Sequence, residues 1–501
     1  MRQRLRLSQP PVRELFRRAT AAPAASARWA AVGRVADSEL LWYGAAALLG
    51  LSGGRTTRRA ALRGAGSFAI ASAITKALSQ PALRRTGAGP GRPARLSRKG
   101  SVAALSPSGP AAVAAAFTIG VALEAPRLGA VVAPLATALA GSRIHRAGLR
   151  HRGAVLAGIT IGAGVATLTS RWWPVIPDTP AEAVRPRQAA PELPLGKGLF
   201  LVVNPGSGIA TLPGSASTVE RLQALLPEAQ LTELSPEDDL PAVLDAAARE
   251  AKRNGGALGM CGGDGSINAA AQAAMGHRVP LAVFPGGTFN HFAADLGIES
   301  MQDVLDAITA GDAVTVDLGR ADPADGSETK VFLNTFSLGV YPELVHAREG
   351  LQARIGKWPA LALGLARVLT NSRPINIAVN GRPRRLWLLF AGNGIYHPAG
   401  FAPTYRARLD DGLLDVRAVD GDASWARTRL LLAVLTGTLH NSRVLTTTQL
   451  RTLRIDAIDE DPHFAYDGEV TTTPAPGLVL GKTHHALTVY RPARGEDPWP
   501  M

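Results

Sequence analysis

ALGMCGGDGSINAA, residues 257–270, passes from an apolar run into a glycine-rich loop and then into an alanine-rich segment. The run Ala257–Cys261 has the length and composition of a buried strand, GGDGS at 262–266 is typical of a loop, and a helix is predicted from Ile267. Glycine lets backbone N–H groups approach a phosphate closely, and a helix that begins at the loop adds its positive end. This unit therefore indicates an α/β fold with a phosphate-binding edge.

Two more predicted strands end in glycine-rich loops. Residues 198–203, GLFLVV, run into NPGSG at 204–208, and residues 281–284 run into PGGT at 285–288. A helix is predicted over about 237–253. Because the carboxyl ends of parallel strands meet at one edge of a sheet, the three loops predict a nucleotide site at that edge.

Asp264 is the acid within the GGDGS loop. Phosphate repels a carboxylate at such a loop unless the carboxylate meets Mg²⁺ or a ribose hydroxyl, so Asp264 is predicted to orient nucleotide and metal. An Asx-turn carboxylate that caps the following helix is the alternative, and both roles can hold together. The sequence contains no Walker A loop and no HRD, HExxH or CxxC motif, so the nucleotide site is of another type.

The charge is distributed unevenly along the 501 residues, a length that predicts two or three domains. Up to Trp173 the chain has 25 Lys and Arg and 4 Asp and Glu, and after it 29 and 36. A basic, apolar segment favours anionic lipid headgroups, and it lacks the interleaved aromatic residues that stack on bases. A membrane is therefore predicted as partner and nucleic acid is not. The single cysteine, Cys261, excludes a disulfide framework and is typical of a reducing compartment.

The first 173 residues are predicted to form an all-α helical bundle embedded in the membrane. Loops that carry arginine separate its apolar, small-residue runs, at roughly 39–53, 64–79, 110–126, 128–141 and 153–170. Each run is shorter than the ~20 residues that cross a bilayer comfortably, so a soluble helical bundle stays open as the alternative. RWWP at 171–174 is typical of an interfacial anchor, and the Pro-rich stretch 174–196 predicts a linker.

The sequence becomes rich in predicted strands from about residue 314. Turn residues separate the predicted strands, at 331–336, 375–379, 386–391, 414–419, 453–455 and 487–490. A helix over about 424–438 interrupts them. This pattern predicts a second domain dominated by β-structure.

Six motifs occur in the order seen in the diacylglycerol kinase catalytic family, which includes bacterial lipid kinases and sphingosine and ceramide kinases. They are VVNPGSG (202–208), CGGDGSINAA (261–270), FPGGTFNHFAADLGI (284–298), NTFSLGVYPELV (334–345), LDDGLLDV (409–416) and YDGE (466–469). The chain resembles this family over residues 197–495. The resemblance implies an α/β parallel-sheet ATP-binding domain at 197–317 and a β-sandwich domain at 318–495, with the active site in the cleft between them.

The resemblance also implies roles for individual residues. Glu469 would be the general base, and Asp264 would act with it at the phosphates. Asp411, with the backbone carbonyls of Arg408 and Leu413, would bind a structural Mg²⁺. The residues implied to hold ATP are Asn204, Gly262, Gly263, Asp264, Gly265, Ser266, Asn268 and Thr288.

General chemistry agrees with the role implied for Glu469, since a positioned carboxylate can accept the proton of an alcohol as it attacks phosphorus. The alternative is that Asp467-Gly468 is only a turn and Glu469 a solvated strand residue. Two positions depart from the family pattern. His291 replaces the acid of the usual GTxND loop, and Ser266 replaces a threonine but keeps the hydroxyl.

The N-terminal segment resembles a degenerate membrane phosphatidic acid phosphatase, over residues 104–126 and 141–166. The family's PSGH motif is PSGP here, with Pro110 at the acid position, and Leu149 stands at the nucleophile position. His151 lies two residues too late. Because the covalent route of that chemistry needs its nucleophile, this domain is predicted to be catalytically inactive and to anchor the chain or present lipid.

These features together predict an ATP- and Mg²⁺-dependent lipid kinase that phosphorylates a diacylglycerol-like or sphingoid lipid. No signal-peptide core occurs in residues 1–38, and a bacterial cell membrane with the kinase on its cytoplasmic side is the expected location. Three alternatives stay open. The first is a non-catalytic protein that binds nucleotide or lipid, the second a bifunctional lipid phosphatase and kinase, and the third a soluble small-molecule kinase related to NAD kinases or phosphofructokinases.

Overall fold

The computed structural model describes residues 39–52, 54–85, 107–147, 152–177, 179–186, 189–206, 217–287, 290–339, 363, 373–398, 404–458, 463–472 and 477–493. The chain divides into two compact units, Met1–Val175 and Ile176–Met501. The first boundary lies two residues beyond the predicted end of the N-terminal domain.

The described residues of the first unit form helices α1 Glu39–Ser52, α2 Arg55–Arg85, α3 Gly109–Glu124, α4 Pro126–Ala147 and α5 Arg152–Thr169. Their interior contains a small aromatic and aliphatic cluster that includes Trp42, Phe68 and Phe117. Gly162 of α5 lies against the backbone of Ala112 in α3, so a side chain there would collide with the neighbouring helix. Small residues thus allow these helices to pack closely.

No helix in the described part of the chain is long and apolar enough to cross a membrane. Helix α3, for example, has 16 residues and spans roughly 24 Å at 1.5 Å per residue, less than the ~30 Å of a bilayer core. Helix α2 is longer, but arginines at its start and Lys76 interrupt its apolar character. The prediction of transmembrane helices is therefore not supported by these segments. Leu149 and His151 lie outside the described residues.

The second unit begins with a parallel sheet in the order β2-β1-β3-β4. The strands are β1 Leu199–Val203, β2 Gln230–Glu233, β3 Ala257–Gly262 and β4 Leu281–Pro285. Helices α6 Thr218–Leu225, α7 Leu240–Arg253, α8 Asp264–His277, α9 His291–Asp295 and α10 Met301–Ala310 accompany them. Strands β1 and β3 are buried along their whole length, as expected for central strands covered on both faces.

The remaining strands pair mainly in antiparallel fashion. They are β5 Ala313–Pro323, β6 Lys330–Phe332, β7 Thr335–Gly339, β8 Ile375–Val379, β9 Arg382–Asn393, β10 Tyr396–His397, β11 Tyr405–Arg406, β12 Leu414–Asp420, β13 Leu445–Leu450, β14 Leu453–Ile458, β15 His463–Tyr466, β16 Glu469–Thr472 and β17 Leu478–Tyr490. Helix α11, Ala426–Thr436, lies between β12 and β13. This part has its own core, which includes Phe332, Phe336 and Phe464.

Strand β17 joins the two parts of the second unit. Its residue Val489 pairs in parallel with Leu281 of β4, while most of its length pairs in antiparallel fashion with β5 and part with β14. Fifteen of the described strands consequently form one continuous sheet. The mixed α/β sheet confirms the predicted α/β character, but the two kinase domains expected from the sequence share hydrogen-bonded strands.

The stretch predicted as a linker is bonded to the second unit. Ala181 N donates to Asp295 O at 2.8 Å, Leu193 N to Ile308 O at 2.7 Å, and Thr315 N donates to Val184 O at 2.8 Å. Backbone hydrogen bonds therefore hold this Pro-rich stretch against the second unit.

Candidate active site

The three glycine-rich loops meet at the carboxyl edge of the parallel strands. Gly286 N, after β4, donates to Gly262 O at 3.1 Å. Asn204, after β1, donates from Nδ2 to Ser266 Oγ at 3.1 Å, and its Oδ1 accepts from Gly206 N at 3.1 Å. The side chain of Asn204 therefore ties the first loop to the second.

Close backbone packing explains the glycines of the third loop. A Cβ on Gly286 would lie 2.8 Å from Gly262 N, and one on Gly287 would lie 2.7 Å from Gly263 Cα. Asn290 holds Gly287 from both sides, since Gly287 N donates to its Oδ1 at 2.8 Å and its Nδ2 donates to Gly287 O at 2.7 Å. Thr288 lies outside the described residues. Gly286 and Gly287 are thus packed tightly against Gly262 and Gly263.

Helix α8 begins at Asp264, three residues earlier than the sequence predicts, with Gly263 as its N-cap residue. Asp264, Gly265 and Ser266 therefore occupy the first turn, whose N–H groups have no intrahelical partner. Such a turn at the end of a parallel strand can receive a phosphate. The N-terminus of α8 is directed to the edge where the three loops meet.

Two buried oxygens near this turn have no hydrogen-bond partner among the described residues, Asp264 Oδ1 and Asn268 Oδ1. Asn268 is nevertheless anchored, because its Nδ2 donates to Val331 O at 3.2 Å. A buried carboxylate oxygen without a donor is costly. The Asp264 carboxylate therefore fits a bound cation or hydroxyl, which is the chemistry that Mg²⁺ or a nucleotide would supply.

Glu469 reaches the same helix from the far end of the sequence. It is the first residue of β16 and pairs with Tyr466 across a two-residue turn, whose members Asp467 and Gly468 have φ values of 49° and 93°. Positive φ at both turn positions is typical of a type I′ hairpin. The Glu469 side chain is exposed, and its Oε1 lies 2.5 Å from the point that a Cβ on Gly265 would occupy. Asp467-Gly468 is therefore a turn, and this turn brings Glu469 to α8, while the role of Glu469 as a base stays a prediction.

Asp467 fixes this turn to the rest of the sheet. Its carboxylate accepts from the backbone N–H groups of Leu333, Asn334 and Thr335, each at 2.7 Å. Leu333 and Asn334 form the break between β6 and β7, and Thr335 is the first residue of β7. The sequence predicts a single strand over 331–336. Burial raises the pKa of Asp467 to about 6, while the three N–H donors and nearby Arg406 act in the opposite direction.

Arg406 is the cation of a buried network behind the turn. Its Nε donates to Asp295 Oδ2 at 2.7 Å, and its guanidinium also donates to Leu333 O at 2.7 Å and Asn393 O at 2.8 Å. A further bond of 3.1 Å reaches Asn334 Oδ1. The network therefore supports Leu333 and Asn334, whose N–H groups bind Asp467. In this way it also supports the turn that precedes Glu469.

The region implied to bind a structural Mg²⁺ contains a lysine. Lys482 Nζ lies 2.9 Å from Asp411 Oδ1 and 3.3 Å from Leu413 O. Asp317 Oδ2 is 3.3 Å from the same nitrogen. Within the described ranges no cluster of three or more His, Cys, Asp or Glu side chains is arranged to hold a metal ion.

His291 opens α9 and is exposed, next to the loop that contains Asn290. Sequence reasoning missed three buried charged residues, Arg406, Asp317 and Lys482, because they belong to no motif. Asp467 lies within YDGE, but no sequence signal indicates its bonds to residues 333–335.

Comparison with known proteins bears on this loop-and-helix site. Residues 198–321 match the family described as the diacylglycerol kinase catalytic domain. The chain carries a diacylglycerol kinase-like catalytic domain. The matched range begins just before β1 and ends within β5, so it contains the three glycine-rich loops.

Curated relatives carry similar names. A diacylglycerol kinase of Mycobacterium tuberculosis (strain CDC 1551 / Oshkosh) is 26% identical over 245 residues, which cover 46% of this chain and 77% of the relative. A YegS-like lipid kinase of Klebsiella pneumoniae (strain 342) is 29% identical over 170 residues, covering 32% of this chain and 55% of the relative. The kinase-like domain is thus similar to lipid kinases at modest identity.

Two solved chains from Bacillus anthracis str. Sterne are similar to part of this chain. A diacylglycerol kinase structure gives a TM-score of 0.39 at 19% identity and covers 59% of this chain and 97% of its own. A second chain gives 0.44 at 20% identity, covering 59% of this chain and 98% of its own.

Proposed function

We propose that this chain is an ATP-dependent lipid kinase, with the hydroxyl of a diacylglycerol-like or sphingoid lipid as acceptor. The observation that carries the proposal is the position of Glu469 beside Gly265, in the first turn of α8. A carboxylate that faces a phosphate-type loop would repel the nucleotide unless it met the acceptor or a cation. A base placed there is suited to the proton of an incoming alcohol.

Each group in the site has a task in this reaction. The first turn of α8 and the facing loops hold the phosphates of ATP, and Asn204 keeps two of those loops together. Asp264 would hold the Mg²⁺ that accompanies ATP, and this ion would neutralise charge on the phosphates. Glu469 accepts the proton of the lipid hydroxyl while that oxygen bonds to the γ-phosphorus and the bond from phosphorus to the ADP oxygen breaks. ADP leaves, and Glu469 returns its proton to solvent.

The lipid acceptor also suggests where the protein works. We propose that the basic segment up to Trp173, with its 25 Lys and Arg, contacts anionic headgroups on the cytoplasmic face of a bacterial membrane. We also propose that this segment is a phosphatase-like domain without catalytic activity. Extraction with and without detergent, at low and high salt, tests the membrane contact.

Transfer of label from γ-labelled ATP tests the kinase proposal. The full chain, solubilised in detergent, is incubated with diacylglycerol, ceramide, sphingosine, phosphatidylglycerol or a total lipid extract. Glu469→Gln is expected to lower transfer by about 10²–10⁴-fold, the usual contribution of a general base, and to keep ATP binding. Glu237→Gln is the matched control, because Glu237 is an exposed carboxylate in the loop before α7.

The outcomes separate the alternatives. Label in one lipid that disappears in Glu469→Gln, but not in Glu237→Gln, supports the kinase and names its acceptor. ATP binding without label in any lipid contradicts the kinase and favours a nucleotide-binding protein without catalysis.

A further inference from the structure

We propose that the ammonium group of Lys482 takes the place of a structural divalent cation, so that the loop 408–413 is held to β17 without metal. The resemblance to diacylglycerol kinases implies Mg²⁺ on Asp411 and on the carbonyls of Arg408 and Leu413. In this chain the oxygen atoms around this position face the ammonium group of a lysine, and the proposal is that they do not fit Mg²⁺.

The geometry is that of a buried ammonium with three acceptors. Lys482 Nζ is 2.9 Å from Asp411 Oδ1, 3.3 Å from Leu413 O and 3.3 Å from Asp317 Oδ2. An ammonium has three N–H donors, so each acceptor can receive one. The side chains of Lys482, Asp317 and Asp411 are 1%, 0% and 8% exposed, so solvent does not compete for these contacts.

The other oxygens of the two carboxylates are already in use. Asp411 Oδ2 accepts from Ile395 N at 2.9 Å. Asp317 Oδ1 accepts from His485 N at 2.9 Å, and its Oδ2 accepts from Gly412 N at 2.9 Å as well as facing Lys482. Mg²⁺ requires about six oxygens at 2.0–2.1 Å in octahedral order. Few lone pairs are left for it, and a divalent ion beside Asp411 would adjoin the buried ammonium.

The fold explains how a lysine comes to this position. The pairing of β17 with β5 is regular up to Thr483 and resumes at Leu487, with His485 at a φ of 47° between them. This irregularity turns the backbone N–H of His485 toward Asp317 of β5. The exposed ring of His484 also lies near, with Nδ1 3.5 Å from Asp317 Oδ2. One fixed ammonium thus lies against both buried carboxylates.

The cluster is connected to the candidate active site. Asn393 Nδ2 donates to Asp317 O and to Leu333 O, both at 2.9 Å. Leu333 N in turn donates to Asp467, which precedes the turn before Glu469. A positive charge beside Asp317 therefore supports the backbone that positions Glu469, the proposed base. In this chain that charge is the ammonium group of Lys482.

Thermal unfolding of the nucleotide-free full chain tests the proposal. The wild-type protein is expected to unfold at the same temperature in EDTA and in millimolar MgCl₂. Lys482→Ala leaves two buried carboxylates without their cation, so its midpoint in EDTA should fall by at least about 4 °C, and Mg²⁺ should restore part of this loss. Bound Mn²⁺, measured by electron paramagnetic resonance, should increase in Lys482→Ala relative to wild type.

Lys330→Ala is the matched control, because Lys330, the first residue of β6, forms an exposed ion pair of 2.7 Å with Glu328. It should show neither a metal response nor a comparable loss. A wild-type midpoint that Mg²⁺ raises, with the rise abolished by Asp411→Asn, would overturn the proposal. Equal midpoints for Lys482→Ala and Lys330→Ala in EDTA would overturn it as well. Should Lys482→Ala fold only when Mg²⁺ is present, that result supports the exchange of ammonium for metal.

Discussion

The carboxylate of Glu469 lies directly over Gly265, with Oε1 2.5 Å from the position of an added Cβ. Gly265 belongs to the first turn of α8 and does not have a positive φ, so helix geometry alone does not require glycine there. The close contact with Glu469 requires glycine, because any side chain at position 265 would displace the Glu469 carboxylate.

Gly265→Ala is therefore expected to impair activity without weakening the fold. Alanine is favoured over glycine in a helix by about 0.5–1 kcal/mol, while a displacement of Glu469 by about 1 Å can cost on the order of 10²-fold in rate. Steady-state phosphoryl transfer and the thermal midpoint are measured together. Gly276→Ala in the same helix is the control, since a Cβ there meets nothing within 4 Å. Wild-type transfer by Gly265→Ala would refute the close approach.

Arg406→Met should strongly destabilise the second unit. The change leaves Asp295 as a buried, unpaired carboxylate and removes donors from Leu333 O and Asn393 O, for which a loss of about 3–5 kcal/mol is typical. Chemical denaturation followed by tryptophan fluorescence measures it. Arg253→Met, which removes an exposed pair of 3.1 Å with Glu250, should change stability by less than about 1 kcal/mol. Similar effects of the two variants would contradict a structural role for the buried network.

Asp467 should make stability depend on pH. Burial raises the pKa of its carboxyl from 3.8 to about 6 in the folded chain, so the folded state binds more protons than the unfolded state between these values. The stabilisation is fully present below pH 3.8 and is lost as pH rises through about 6. Its loss is up to about 3 kcal/mol. The advantage of wild type over Asp467→Asn should thus shrink between pH 4 and pH 7.

Denaturation midpoints of both proteins across that range measure the effect. Asp239→Asn, at an exposed position before α7, should run parallel to wild type throughout. An advantage that grows with pH would show that the three N–H donors outweigh burial and keep Asp467 ionised.

Cys261 should be inert while the chain is folded. Burial at the end of β3 raises the pKa of its thiol to about 11, so about one molecule in a thousand carries a thiolate at pH 8. A disulfide reagent such as Ellman's is expected to react slowly with the native protein and completely in guanidinium. Because the chain has a single cysteine, the signal reports this site alone. Rapid stoichiometric reaction of the native protein would contradict the burial.

Apolar runs and glycine loops predict the parallel part of the fold well, since β1, β3 and β4 lie within one residue of their expected bounds. The sequence predicts a loop at the first turn of α8 because glycine is a poor helix former. In the structure, glycine at position 265 leaves room for the nearby carboxylate of Glu469. Strand β17 begins nine residues earlier than expected, because KTHH at 482–485 breaks the apolar pattern. These polar residues form the irregularity that faces Asp317.

The sequence predicts the residues of the candidate site that lie within motifs. It does not predict the buried charged residues that support them. Asn204, Asp264 and Glu469 come from quoted motifs, and the structure brings them to one edge. Arg406 and Lys482 depend on partners that are remote in sequence, so neither periodicity nor spacing indicates them. The described helices do not support the expected transmembrane spans, because their small-residue runs resemble membrane spans but are too short or too polar.

Strand β17 has a consequence for synthesis on the ribosome. The parallel strands emerge first, yet their edge at β4 and the long partner face of β5 stay uncovered until residues 478–490 have been translated. Unpaired strand edges invite association with other chains. A nascent chain that stalls before residue 478 would therefore leave β4, β5 and β14 without this partner strand. It would also lack Lys482, leaving Asp317 and Asp411 without their counter-charge. Such intermediates are natural clients for chaperones.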